Sequence, residues 1–144
     1  MAAQVYYQDI REGMALPSLE KAPTTRQLVM YAGASGDYYE LHYDQQFARA
    51  KGLSGIIVHG ALKNAFLGQL LTDWIGDRGD LKRLSVQYRG MDVPGSPIHC
   101  KGVVTKKYIR DGEHLVECDI WTEKLDGEKT THGSALVSLP SADP

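Results

Sequence analysis

The stretch from Gly60 to Trp74 constrains the fold more than any other part of the chain. Ala61, Leu62, Ala65, Phe66, Leu70, Leu71 and Trp74 recur at helical spacing, and Gly76 stands just beyond them as a stop. A helix this apolar needs cover on most sides, so it is expected at the centre of the core. Gly68 interrupts the pattern. Inside a helix glycine costs about 1 kcal/mol relative to alanine, which points to close packing or a ligand approaching the backbone there.

Downstream the period changes from about 3.6 to 2. Leu84, Val86 and Tyr88 alternate with polar residues, and Val103 and Thr105 continue in the next segment. Leu115, Glu117, Asp119 and Trp121 then oppose Val116, Cys118 and Ile120, and Ala135, Val137 and Leu139 close the series. Asp111-Gly112 and Asp126-Gly127 fall between these segments, and Asp-Gly is a strong hairpin signal. The pattern predicts an antiparallel meander with one face free to wrap the helix. The expected class is therefore α+β, in the hot-dog arrangement of a curved antiparallel sheet around one long apolar helix. A strand near Ala15 to Lys21, softened by Pro17, is expected to complete the sheet.

Ahead of the long helix, Thr24 and Gln27 match a capping box after Pro23. They open a short helix through Leu28, Val29, Tyr31 and Ala32 that is expected to fail by Gly33-Ala34-Ser35-Gly36. Asp44 is placed to cap a second short helix through Phe47 and Ala48.

The 144 residues, 42% hydrophobic and 24% charged, suit one ordinary soluble domain spanning residues 1–144, with no repeat or low-complexity linker to divide it. A formal net charge of −2 offers no basic surface and argues against a nucleic-acid partner. The N-terminus shows no basic region followed by an apolar stretch, and no run approaches the ~18 apolar residues of a membrane span. A cytoplasmic location and no membrane partner are the expectations. Cys100 and Cys118 are expected as free, partly buried thiols in a reducing compartment. His99, Cys100, His114, Cys118 and His132 match no compact metal-ligand spacing, and alternation would scatter them over both sheet faces, so no metal and no cofactor are assigned.

Two stretches carry candidate chemistry. The first is Ser35-Gly36-Asp37-Tyr38-Tyr39-Glu40-Leu41-His42. Five helical steps would rotate a carboxylate and an imidazole roughly 140° apart, so only a bent loop after Gly36 would bring Asp37 and His42 to one small volume. Such a pair suits acid–base work, because imidazoles exchange protons near neutrality and a carboxylate can orient one or share a water with it. Taken residue by residue, Asp37 as a turn cap and His42 as surface polarity fit as well.

The second stretch, Gly55-Ile56-Ile57-Val58-His59-Gly60-Ala61-Leu62, runs an apolar segment straight into the N-terminus of the long helix. Unpaired backbone N–H groups there, with the positive end of the helix dipole, suit developing negative charge. At Gly60 a carbonyl oxygen can approach the backbone with no side chain in its way. A tight turn at Gly60 with His59 capping or packing is the alternative.

Asp37 and His42, followed by Gly52-Leu53, Ile57 and His59-Gly60-Ala61-Leu62, resemble the MaoC-like dehydratases, also called (R)-specific enoyl-CoA hydratases or hydratase 2. Their signature has the form Gly-Asp-x-Asn-Pro-aliphatic-His with a downstream aliphatic-x-His-Gly-x-Leu element. The resemblance covers most of the chain, from the Thr24 helix through the closing strands. In place of the family's Asn-Pro this chain has Tyr39-Glu40.

The resemblance implies interconversion of a trans-2-enoyl-CoA and a (3R)-3-hydroxyacyl-CoA, with a coenzyme A thioester favoured over an acyl-carrier-protein thioester. It implies Asp37 and His42 as the catalytic pair around one water, the Gly60 N–H as oxyanion donor, and Tyr39, His59, Ala61 and Gly68 near the substrate. Which of Asp37 and His42 is formal base stays open. Lys82-Arg83 and Lys106-Lys107 fit coenzyme A phosphates or plain solvated charge. A hot-dog thioesterase is the competing reading, as is one subunit of a heteromeric dehydratase. A lone hot-dog sheet leaves an edge exposed, so a homodimer is expected, with a heterodimer as the alternative.

Overall fold

A computed structural model of the protein describes residues 3–143. Helix α3 (Gly60–Ile75) forms where the apolar periodicity demanded it and ends at Gly76, which takes a positive φ. Leu62, Phe66, Leu67, Leu70, Leu71, Trp74 and Ile75 are buried. At about 1.5–3 kcal/mol for each large side chain removed from water, this helix dominates the apolar stabilisation of the core. Ala61 and Ala65, expected within its apolar stripe, are exposed instead. Lys63 is buried where no charge was anticipated.

Helix α1 (Thr25–Ser35) carries half of the expected capping box: the Thr24 side chain accepts from the Gln27 N–H at 3.2 Å. It runs through Gly33 and stops at Gly36, in the left-handed region with φ +78°. Only the second glycine needs that conformation, so the helix extends to it. Asp44 caps α2 (Gln45–Ala50) by accepting from the Phe47 N–H at 3.0 Å.

The sheet holds β1 (Leu19–Lys21), β2 (Asp80–Tyr88), β3 (Ile98–Arg110), β4 (Glu113–Glu123) and β5 (Lys129–Ser138), in the order β1-β3-β4-β5-β2. Every neighbouring pair is antiparallel. The first strand is shorter than anticipated. Pro17 confines it to three residues, with Ala15 reaching β3 through an isolated bridge to Val103. Asp111 and Gly112 both take positive φ, +52° and +78°, as a tight two-residue turn between right-twisted strands requires.

One expectation fails. The four later strands are not a consecutive meander, because β2 pairs with β5 rather than with β3. The connection over residues 89–97 contains Pro94 and Pro97 and cannot be a two-residue hairpin, so it carries the chain across the end of the sheet. There the Asp92 carbonyl accepts from the Val58 N–H at 2.8 Å, just before α3 begins. Register shifts in β2 and β3 bend the sheet around the helix. The result is the anticipated hot-dog arrangement.

Cys100 and Cys118 are free and buried, and burial pushes both thiols up to about 12. Gly133 of β5 shows how closely neighbouring strands meet: a Cβ there would run into the Ser85 carbonyl oxygen of β2. Gly133→Ala is therefore expected to cost about 1–3 kcal/mol through overpacking, read as a lower denaturant midpoint at unchanged slope.

Candidate active site

Gly36 turns the chain out of α1, and the next residues fold back on themselves. The Asp37 N–H donates to Ser35 Oγ at 3.2 Å, and Asp37 Oδ1 accepts from the Tyr39 N–H at 3.4 Å. A 3-10 turn at Glu40–His42 then swings the imidazole inward, where His42 is buried. His42 Nδ1 lies 2.9 Å from the Ile57 carbonyl oxygen. A carbonyl only accepts, so Nδ1 carries a hydrogen, and in the neutral tautomer this selects, the lone pair is on Nε2. That nitrogen stands 3.8 Å from Asp37 Oδ2. The gap exceeds a direct hydrogen bond and is narrow enough for one water to span. Asp37 thus both caps its turn and faces His42.

The absent Asn-Pro is compensated locally. The Glu40 carbonyl accepts from the Tyr43 N–H at 3.2 Å and the Asp44 N–H at 2.8 Å, and Tyr43 Oη donates to the Tyr38 carbonyl at 2.7 Å. The Tyr39 ring meets Phe47 and His42 edge-on, with centroids 5.8 and 6.2 Å away. Backbone bonds and ring packing hold the turn without a proline.

The second stretch lies directly against the first. The Ile57 N–H donates to the Leu41 carbonyl at 3.0 Å, so Ile57 uses both its backbone groups to hold Leu41 and His42. His59 is fully buried, stacked on His42 with centroids 3.8 Å apart and planes at 21°, and met edge-on by Tyr31 at 4.8 Å. Its ring nitrogens have no hydrogen-bond partner among the described residues. Burial, and then the neighbouring His42, push its pKa below the ordinary 6.5, so His59 is held neutral. It packs and does not cap, because no side-chain bond closes the start of α3.

Asp37, His42 and His59 each offer a ligand atom within 4.8 Å of the others. The set suits a metal poorly. The two ring centroids lie 3.8 Å apart with their planes at only 21°, so in-plane lone pairs from both rings do not meet readily at one point, and His42 Nδ1 is committed to Ile57.

Gly60 is the first residue of α3, and its N–H is among the four that an α-helix leaves without an internal acceptor. The ring of Tyr88, the last residue of β2, lies against it: a Cβ at position 60 would come within 3.2 Å of three ring atoms. A larger residue at position 60 would have to push that ring aside by a few tenths of an ångström. Burial and the nearby Tyr31 raise the Tyr88 hydroxyl.

Asp37, His42 and His59 therefore come together, with Gly60 next in the chain and Tyr39 at the rim. Ala61 is exposed beside Gly60. Gly68 lies about 12 Å further along the helix, facing Leu84, and stands apart from the cluster. Tyr31 and Tyr88 were not anticipated. Tyr31 reads in sequence as part of an apolar helix face and Tyr88 as the end of an alternating strand, so neither signals a site. Of the basic pairs, Lys82 meets Glu113, Arg83 meets Glu117, Lys107 donates to the Tyr7 and Ile10 carbonyls, and Lys106 lies over the Tyr108 ring.

A histidine held neutral by burial makes folding sensitive to acid. The unfolded chain takes up the proton first, so this contribution to stability is whole above the ordinary pKa of 6.5 and is lost as pH falls below it. Thermal melts from pH 7.5 to 5 are expected to show a falling Tm, with a shallower decline in His59→Gln.

Residues 11–124 match the MaoC-like domain family. The chain is 37% identical over 71 residues to a fatty acid synthase subunit beta of Gibberella zeae, covering 48% of this chain and 3% of that protein. It is 28% identical over 111 residues to the corresponding subunit of Aspergillus oryzae, covering 75% of this chain and 5% of that protein. The chain thus spans only a small fraction of these relatives. Among solved structures, the R-hydratase PhaJ1 of Pseudomonas aeruginosa superposes with a TM-score of 0.86 at 19% identity, over 96% of this chain and 87% of that one. An (R)-hydratase of A. caviae gives 0.80 at 24%, over 92% and 99%. A chain of the ChsH1–ChsH2 complex of Mycobacterium tuberculosis gives 0.77 at 22%, over 90% and 98%. With the family match covering most of its length, this chain belongs to the MaoC-like domain family, whose structural neighbours include R-hydratases and MaoC-like dehydratases.

Proposed function

We propose that this chain, as one MaoC-like domain over residues 1–144, hydrates trans-2-enoyl thioesters to (3R)-3-hydroxyacyl thioesters and catalyses the reverse dehydration. One observation carries the reading: His42 Nδ1 is tied to the Ile57 carbonyl, which turns Nε2 toward Asp37 Oδ2 at 3.8 Å, close enough for a single water beside them to bond both. In the hydration direction, Asp37 and His42 Nε2 hold that water. One O–H bond breaks as oxygen adds to Cβ, and the dyad takes the proton. The C=C electron pair moves toward the thioester, whose oxygen gains charge beside the Gly60 N–H at the positive end of α3. Cα then receives a proton from the dyad, so the cycle closes with no net change in the protein.

The (R) product is favoured by the R-hydratases among the structural neighbours. The coenzyme A thioester is favoured by the resemblance of Asp37, His42 and His59-Gly60 to the hydratase motifs, with a carrier-protein thioester as the alternative. A homodimer is the assembly we favour, because β2 is an edge strand and Ala61 and Ala65 lie exposed near it. The ChsH1–ChsH2 neighbour makes a heterodimer the alternative. No helix among the described residues is long and apolar enough to cross a membrane, and a cytoplasmic location is part of the proposal.

The test is crotonyl-CoA and a bulkier enoyl-CoA incubated with the purified protein, following loss of enoyl-thioester absorbance. Turnover is expected in the native protein, with Asp37→Asn and His42→Ala each reducing kcat by about 10²–10⁴. Turnover indifferent to both substitutions overturns the site. Release of free thiol without hydration replaces it with the thioesterase reading.

A further inference from the structure

Lys63 and Asp92 are each 2% exposed and form an ion pair. Lys63 Nζ donates to Asp92 Oδ2 at 3.0 Å and to the Gly90 carbonyl at 3.0 Å. The Asp92 main-chain carbonyl accepts from the Val58 N–H at 2.8 Å. Asp92 therefore grips the chain twice: two residues before Gly60 through its carbonyl, and three residues after it through its carboxylate. The segment it grips holds His59 and Gly60 and nothing else of the cluster. The connection that supplies Asp92 begins at Tyr88, whose ring lies on Gly60, and is itself anchored where the Arg89 and Gly90 N–H groups reach the Thr130 carbonyl at 2.9 and 3.0 Å.

Stability alone gives a poor account of this arrangement. Removing two charges from water is costly, and well-packed apolar side chains of similar size commonly hold a core as well as or better than a buried ion pair. Helix α3 already has a full set of apolar anchors. What an apolar pair lacks is direction. Two ionic hydrogen bonds at fixed angles set the rotation of the first turn of α3, and with it the aim of the Gly60 N–H.

We infer that Lys63 and Asp92 are positioning residues that clamp the His59–Gly60 segment and aim the Gly60 amide at the substrate oxygen. The inference rests on the hydratase reading for its consequence in catalysis, though not for the clamp itself. A misplacement of about 1 Å can cost a hundredfold in rate. An aimed donor acts on charge that develops after binding, so its loss falls on kcat rather than KM.

The experiment replaces both members at once, because a single change strands a buried charge. Lys63→Met/Asp92→Leu is expected to melt at or above the native temperature, with KM within about twofold and kcat reduced about ten- to a hundredfold. The ¹H–¹⁵N resonance of Gly60 is expected to move. Lys63→Met/Asp92→Asn, with a polar side chain of native size at position 92, serves if the first variant does not fold. A folded variant with native kcat, or an unmoved Gly60 resonance, overturns the inference. If the native protein turns over no enoyl thioester, the functional reading fails on its own. The Gly60 resonance in the folded variants then decides the clamp.

Discussion

The need to cover one apolar helix organises this molecule. Helix α3 buries side chains around most of its circumference, which a flat sheet touching one stripe cannot achieve. The sheet must bend, and it does so through register shifts in β2 and β3 and through glycines such as Gly133, where strand backbones approach too closely for a Cβ. The sheet leaves the N-terminal end of the helix to the loops that precede it, and Asp37, His42 and His59 gather beside that end.

That placement turns a general property of helices into a local one. The first amides of α3 point along the axis with no internal acceptor, and the apolar surroundings strengthen their field. Two loops are sewn together beside them by backbone bonds of a single residue. Ile57 donates to Leu41 and accepts from His42, so one residue both closes the loop pair and selects the imidazole tautomer. The stack of His42 on His59 adds a wall that holds the ring upright. A side chain fixed by its neighbours' backbone needs little further ordering when a ligand arrives, which is the condition for catalysis by positioning.

Members of a family can keep such a frame while exchanging much of what supports it. At 19% and 24% identity the R-hydratase neighbours share the fold. In this chain the turn between Asp37 and His42 is stiffened by the carbonyl of Glu40, the Tyr43 hydroxyl and the packing of Tyr39, with no proline involved. A buried ion pair stands behind the helix N-terminus. The first holds the turn that carries Asp37 and His42, and the second ties the first turn of α3 to the connection after β2.

The elements legible in sequence were those with a local cause. Periodicity alone located α3, the glycine stop after it and the strands, because side-chain spacing reflects one neighbour surface at a time. Thr24, Asp44 and Asp111-Gly112 marked caps and a turn, since each acts on backbone groups within four residues. Asp37 and His42 were legible as candidates only through their pairing with His59-Gly60. Tertiary structure alone decided that β2 crosses to β5, that Ala61 and Ala65 face outward while Lys63 turns in, and that Tyr31 and Tyr88 stand beside the site. Each of these depends on residues far apart in the chain. The tautomer of His42 belongs with them, because it is set by a carbonyl fifteen residues away. A sequence prescribes which local conformations are cheap, whereas the partner of a buried polar atom is chosen only when the chain has closed around it.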